Sequence, residues 1–315
     1  MMQTAGIHHI TAFVRNAQDH VDFYAGVLGL RMVKKTVNFD APEVYHLYFG
    51  NEGGSPGTII TFFPSEHSHQ GQIGGGQVGV TTYVVPEHTL DFWEERLAKF
   101  HVPVARTERF FETYLQFQDP DGLQLELVAR AAGEKSKWTF GGVTPDYAIK
   151  GLGGAILYSV DPGSTSLLLE GVMGLKQTAQ DEQFTRFHST ADIGNIIDVK
   201  RSPMPRGSGG AGTVHHIAWR AKDKADHQIW RTHIERSGFK PTSFHDRQYF
   251  DAIYFREAGG ILFEIATDSP GFARDEEPEH LGEKLMLPPW FEADRAVFEA
   301  RLAPIQIRVL EEDLL

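Results

Sequence analysis

The chain has 315 residues, 30 Lys and Arg against 42 Asp and Glu, a formal net charge of −12, 41% hydrophobic residues and no cysteine. The acidic balance, with no basic cluster, argues against nucleic acid or an anionic membrane as a partner. Lack of cysteine excludes disulfides, thiolate catalysis and Cys-ligated zinc or iron–sulfur centres; with no leader-like start and no long apolar run, it fits a cytoplasmic globular protein.

In chain order, four segments follow one plan. The first opens with the period-2 strand "IHHITAFV", continues into a predicted helix "NAQDHVDFYAGVLGL", and closes with strands near "VYHLYFG" and "GTIITFFP". The second has the strand "VGVTTYVV", the helix "HTLDFWEERLAKF" and the hairpin "TYLQFQDPDGLQLELVA". The third has "GGAILYSV", the helix-like "GSTSLLLEGVMGL", then "FTRFHST" and "NIIDVKR". The fourth has "VHHIAWRA", the helix "DKADHQIWRTHIERSG" and "DAIYFREAGGILFEIATD". A strand–helix–strand plan repeated four times over about 50–70 residues per unit is stronger evidence than any single motif. It predicts an α+β fold of four βαβββ modules that form two domains of cupped mixed sheets. The polar stretch 131–150 predicts a boundary between an N-terminal domain (1–135) and a C-terminal domain (150–275), with residues 276–315 as an extension packing on them. That extension carries "LMLPPWF" flanked by charges, which suggests a cover over a cup.

Each module presents inward positions on its first and last strands. These are His9 and Thr61 in unit one, Val78 and Glu126 in unit two, Gly154 and Ile197/Asp198 in unit three, and His216 and Glu264 in unit four. Only units one and four together supply two imidazoles and a carboxylate, His9, His216 and Glu264. Such a donor set with open positions suits a non-heme Fe(II) or Mn(II) centre; a zinc hydrolase also accepts it, but no His-Glu-x-x-His helix is present. Neighbouring strand residues face opposite ways, so the second histidine of each pair is the predicted ligand, His9 sharing its face with Thr11 and Phe13. Glu264 lies in an apolar run where a carboxylate needs a metal or a charged partner such as Arg247 or Arg256. Glu126, at the matched position without histidines, is expected to be structural or exposed. A three-residue loop at "EAGG" would set Tyr254 directly opposite Glu264, where its hydroxyl could reach a bound oxygen, whereas a two-residue loop would turn it to the other face; Arg247 could stabilise an anion. His67 and His69 in "EHSHQG" read as a solvated loop. "GQIGGGQVG" lacks a P-loop lysine, and no Gly-x-Ser-x-Gly elbow occurs.

With those residues in view, "GIHHITAF", "VHHIAWRA", "DRQYFDAIYFREAGGILFEIATDSPGF" and "LGEKLMLPPWFE" resemble the vicinal oxygen chelate (glyoxalase/bleomycin resistance/extradiol dioxygenase) superfamily, and within it the hydroquinone-type ring-cleaving dioxygenases. The resemblance implies Fe(II) held by His9, His216 and Glu264, with substrate or supporting roles for His8, Thr11, His215, Arg247 and Tyr254. It implies a small aromatic diol and O2 as the reactants, with a histidine and Tyr254 moving protons and Arg247 stabilising charge. A glyoxalase-type isomerase or transferase of the same fold is the alternative, its usual fourth protein ligand having to come from near Thr61. A non-catalytic binding module is a third reading, and a homo-oligomer is compatible with all three.

Overall fold

The protein is described by a computed structural model covering residues 2–314. Unit one contains β1 (Ile7–Val14), α1 (Ala17–Val21), β2 (Arg31–Asn38), β3 (Ala41–Gly50) and β4 (Ile59–Pro64). Unit two contains β5 (Gln77–Val85), α2 (Leu90–Lys99), β6 (Ala105–Arg109), β7 (Glu112–Gln118) and β8 (Gln124–Ala129). Unit three contains β9 (Gly151–Tyr158), α3 (Pro162–Gly171), β10 (Lys176–Gln180), β11 (Phe184–His188) and β12 (Ile196–Lys200). Unit four contains β13 (Thr213–Ala221), α4 (Lys224–Arg236), β14 (His245–Asp246), β15 (Phe250–Arg256) and β16 (Leu262–Pro270), and α5 (Arg295–Arg301) lies in the tail.

The strands form two eight-stranded mixed sheets in the order β14-β15-β16-β13-β1-β4-β3-β2 and β10-β11-β12-β9-β5-β8-β7-β6. Each joins two units through their first strands, antiparallel: β1 with β13, and β5 with β9. Units one and four therefore share one sheet although they lie at opposite ends of the chain. Alternation sorts the strands' side chains into two faces. Ile10, Ala12, Ile217, Trp219, Phe263 and Ile265 enter the apolar core with the buried faces of the helices. Those helices follow local rules: α4 is capped by Asp223, whose carboxylate accepts from the Ala225 and Asp226 amides, and buries His227, Trp230 and Ile234 on one stripe. The residues between, His9, Thr11, His216 and Glu264, face the concave side.

Strict alternation fails at two places. In the β1–β13 ladder Ile7 pairs with Trp219 and His9 with Ala218, leaving His8 as an extra residue; Thr11 pairs with His216 and Ala12 with Val214, leaving His215 extra. Both first histidines thus sit at β-bulges, which re-aim a side chain relative to the pleat. The β5–β9 ladder carries the same bulges at Gly79 and Gly153. Matching the bulges puts Val80, not Val78, at the position equivalent to His9, a two-residue correction that the apolar pattern alone does not reveal.

The helix predicted over "NAQDHVDFYAGVLGL" is α1 followed by a π-helical turn, Asp22–Val27, which buries Phe23 through Val27 in succession. The start of the segment after β16 is strapped to β2 of unit one, and its end is held by α2 of unit two, where Asp313 pairs with Arg96 at 2.9 Å. Lys34, fully buried, is paired with Asp275 at 2.7 Å and with Glu276, and Arg31 donates to the carbonyls of Pro278 and Glu279.

Candidate functional site

The concave face of the β1–β13 sheet holds a cavity of about 230 Å³, lined by His9, His46, His215, His216, Arg247, Tyr254 and Glu264 among polar residues and by Phe13, Phe39, Phe63 and Phe250 among apolar ones. At its floor His9 Nε2 and His216 Nε2 are 3.2 Å apart, and Glu264 Oε2 lies 2.8 Å from His216 Nε2 and 3.5 Å from His9 Nε2. Adjacent strands create this convergence: β13 pairs with β1 on one side and with β16 on the other, where Ala218 stands opposite Glu264.

Glu264 is 0% exposed, and neither of its oxygens receives a well-directed hydrogen bond among the described residues. Neither arginine considered as its partner reaches it: Arg256 donates to the Gly260 carbonyl, while Arg247 engages Tyr254 and Asp40. Burial would raise the Glu264 carboxyl, but His9 and His216 hold it well below the usual carboxylate range. Burial pushes His216 down despite Glu264. An ionised buried carboxylate facing a neutral imidazole is unsatisfied by protein alone. A cation with nitrogen and oxygen ligands resolves it, and the ligand atoms of His9, His216 and Glu264, all within 4.8 Å of one another, fit one.

The flanking histidines face the backs of the other two. His8 Nδ1 is 2.9 Å from His9 Nδ1, and His215 Nδ1 is 2.7 Å from His216 Nδ1. Both contacts follow from the bulges, and both leave the inner imidazoles presenting Nε2 to the centre. Burial lowers His8, and His215 is pushed down to about 3 by burial and by His216. Both flanking rings are therefore neutral and able to accept a hydrogen bond at Nδ1.

Tyr254 stands opposite Glu264 across the β15–β16 ladder, which turns through the three-residue loop 258–260 with Gly260 at φ +93°. Burial and the Glu264 charge raise its phenol well above the ordinary value, against the opposing pull of Arg247. Arg247 Nε donates to the Tyr254 hydroxyl at 3.1 Å. Thr11 is buried on the same face but does not line the cavity, its hydroxyl 2.8 Å from that of Thr61. Thr61 is in turn 2.8 Å from His46 Nε2, and His46 Nδ1 is 2.9 Å from the Tyr48 hydroxyl.

His46 and Tyr48 escaped the sequence reading. They lie two apart on β3 in "VYHLYFG", so period-2 spacing was the available signal, but this strand is neither first nor last in its unit. Asn38, Phe39 and Asp40 were missed because a hairpin tip carries no motif. The tail supplies no lining residue among the described ones; instead Trp290 and Phe291 pack on Phe39, with ring centroids 5.6 and 6.3 Å away. His67 and His69 are exposed. A larger cleft, about 610 Å³, runs from Arg15 to Ile305 past His67 and holds none of the clustered histidines.

A family model of the glyoxalase/bleomycin resistance protein/dioxygenase superfamily matches residues 6–127. Over 98% of this chain and 99% of its own, MhqO of Bacillus subtilis (strain 168), described provisionally as a ring-cleaving dioxygenase, is 59% identical. A chlorohydroquinone/hydroquinone 1,2-dioxygenase of Sphingobium indicum is 35% identical over 91% of this chain and 92% of its own. A crystal structure from Bacillus subtilis, 59% identical, superposes with a TM-score of 0.97 over 98% of this chain and all of that one. Glyoxalase I from Zea mays, at 13% identity and a TM-score of 0.62 over 84% of this chain and 92% of its own, shares the fold.

Proposed function

This chain belongs to the glyoxalase/bleomycin resistance protein/dioxygenase superfamily, and from that premise we propose that it is an Fe(II)-dependent, extradiol-type dioxygenase that opens a hydroquinone- or catechol-class ring with O2. The observation that carries the reading is Glu264: a fully buried carboxylate without a hydrogen-bond donor, facing two imidazole Nε2 atoms at the floor of a phenylalanine-lined cavity. A dry cavity of about 150 Å³ accepts benzene, so one substituted ring fits in this one. The names of the relatives support the same reaction class.

In this reading His9, His216 and Glu264 hold the metal, with Mn(II) as the alternative occupant. The metal, when bound, supplies a Lewis-acidic centre for a ring hydroxyl and a redox route to O2. The rest of the chemistry belongs to side chains. With Nε2 turned inward, the Nδ1–H of each ligand histidine donates to the neutral imidazole behind it, which fixes ring orientation and tautomer. His215, accepting at Nδ1, carries its own hydrogen on Nε2 and offers a hydrogen bond from it toward a ring oxygen. Tyr254 stays protonated; because its oxygen accepts from Arg247, its hydroxyl hydrogen is free to serve as the second donor. Arg247 stabilises negative charge developing on the ring. The four phenylalanines orient the ring and exclude water.

A glyoxalase-type site would want a fourth protein ligand near Thr61, but the hydroxyl there is engaged by Thr11 and His46. The test is anaerobic Fe(II) loading followed by O2 uptake with a panel of hydroquinones and catechols. Stoichiometric uptake with at least one member, lost in His216→Ala, is expected. No uptake with any member, or full activity in that variant, overturns the proposal.

A further inference from the structure

The mouth of the cavity has two rims contributed by distant parts of the chain. One is the tip of the β2–β3 hairpin, Asn38 to Asp40; the other is the turn at Arg247 between β14 and β15. They meet in an ion pair, Asp40 Oδ2 to Arg247 Nη1, at 2.9 Å. Each partner is held in place. The Asp40 amide donates to Asn38 Oδ1 at 3.0 Å, and Phe39 between them is braced by Trp290 and Phe291 of the tail. Arg247 is fixed by its amide on the Phe250 carbonyl (2.9 Å) and by Nε on Tyr254. The Asp40 side chain is 69% exposed and that of Arg247 18%, so the pair adds little to stability. Its importance is where it places charge.

Arg247 is the only lysine or arginine among the described residues lining the cavity. Asp40 meets that charge, Glu264 faces the metal position, and the remaining walls are chiefly aromatic. A ring bearing a full carboxylate would find the one guanidinium already neutralised by Asp40; it would have to displace Asp40 or lose hydration against phenylalanine. We propose that Asp40 is a specificity-determining residue: by engaging Arg247 across the mouth it admits dihydroxybenzenes with uncharged substituents and excludes carboxylated ones. This is selection by an unfavourable element set against the wrong ligand. It also gives the C-terminal extension a role, since its aromatic pair steadies the hairpin that carries Asp40.

The inference rests on the ring-cleavage reading, and the experiment keeps the two apart. Wild type, Asp40→Asn and the charge-preserving Asp40→Glu are loaded with Fe(II); kcat/KM is measured for hydroquinone and for 2,5-dihydroxybenzoate, and anaerobic Kd values for both rings by calorimetry. In Asp40→Asn the ratio of kcat/KM for 2,5-dihydroxybenzoate over hydroquinone should rise at least about tenfold. Its Kd should tighten comparably, while that of hydroquinone stays within about twofold. Asp40→Glu should behave as wild type. Unchanged preference in Asp40→Asn, or an equal change for both rings, overturns the role of Asp40. Failure of every form to consume O2 overturns the reaction instead, and the Kd values still decide whether Asp40 excludes the carboxylate.

Discussion

The two half-barrels are built on one plan and fill matched positions differently. In the β1–β13 sheet the four inward positions are His9, His216, Thr61 and Glu264; in the β5–β9 sheet they are Val80, Gly154, Glu126 and Asp198. The second cup has two carboxylates and no imidazole at these positions, and arginines fill it. Arg109 is 2.9 Å from Glu126 and 2.6 Å from Asp198, and Arg186 is 2.8 Å from Asp198. No room for a ligand remains there. The bulges differ in the same sense. A Cβ on Gly79 would lie 2.4 Å from the Tyr158 ring, and one on Gly153 2.9 Å from Val84, so the flanking histidines of the first cup have no place in the second. A buried carboxylate on the closing strand therefore does not make a site by itself. Glu126 is as buried as Glu264, and its partners decide that it is structural.

Disabling each cup in turn separates their roles. His216→Ala should reduce bound metal from near stoichiometric to near zero by elemental analysis after gel filtration. Arg109→Met should leave metal content unchanged but lower the unfolding free energy by about 3–5 kcal/mol in a denaturant titration, because buried carboxylates lose their cation. Metal loss in the second variant would show that the cups are not independent. A smaller effect tests the bulges: His8→Ala should weaken metal affinity by about 10–100-fold in a chelator competition, through loss of the partner behind His9.

The smallest effect concerns acid stability of the second cup. Burial would raise Glu112, but Arg130, Tyr114 and Arg186 bring it to about 2. A carboxyl lowered in the folded state stabilises it above the unfolded carboxylate value; that stabilisation fades as pH falls through the folded value. Glu112→Gln should therefore cost about 1–2 kcal/mol at neutral pH after solvent screening, with the difference from wild type vanishing near pH 2. A constant difference across an acid titration would assign the loss to packing instead.

The modules, the pairing of the chain's two ends and the donor set His9, His216 and Glu264 were legible because each rests on periodicity or on a repeated motif. Tyr254 opposite Glu264 was one of two registers the sequence allowed, and the three-residue loop in the structure selects it over the two-residue loop that would have turned it away. Alternation set His8 and His215 apart from the ligands and only the resemblance gave them supporting roles; the bulges that turn them appear only once the ladder register is known. His46, Asp40 and the Phe39–Trp290 contact were not legible, because they lie far from the histidine pairs in the chain and only packing brings them together. By itself the sequence determined which residues could bind a metal, since ligand type and strand face are local properties. Tertiary structure alone decided which carboxylate is free to do so, because that depends on whether an arginine from another strand reaches it first.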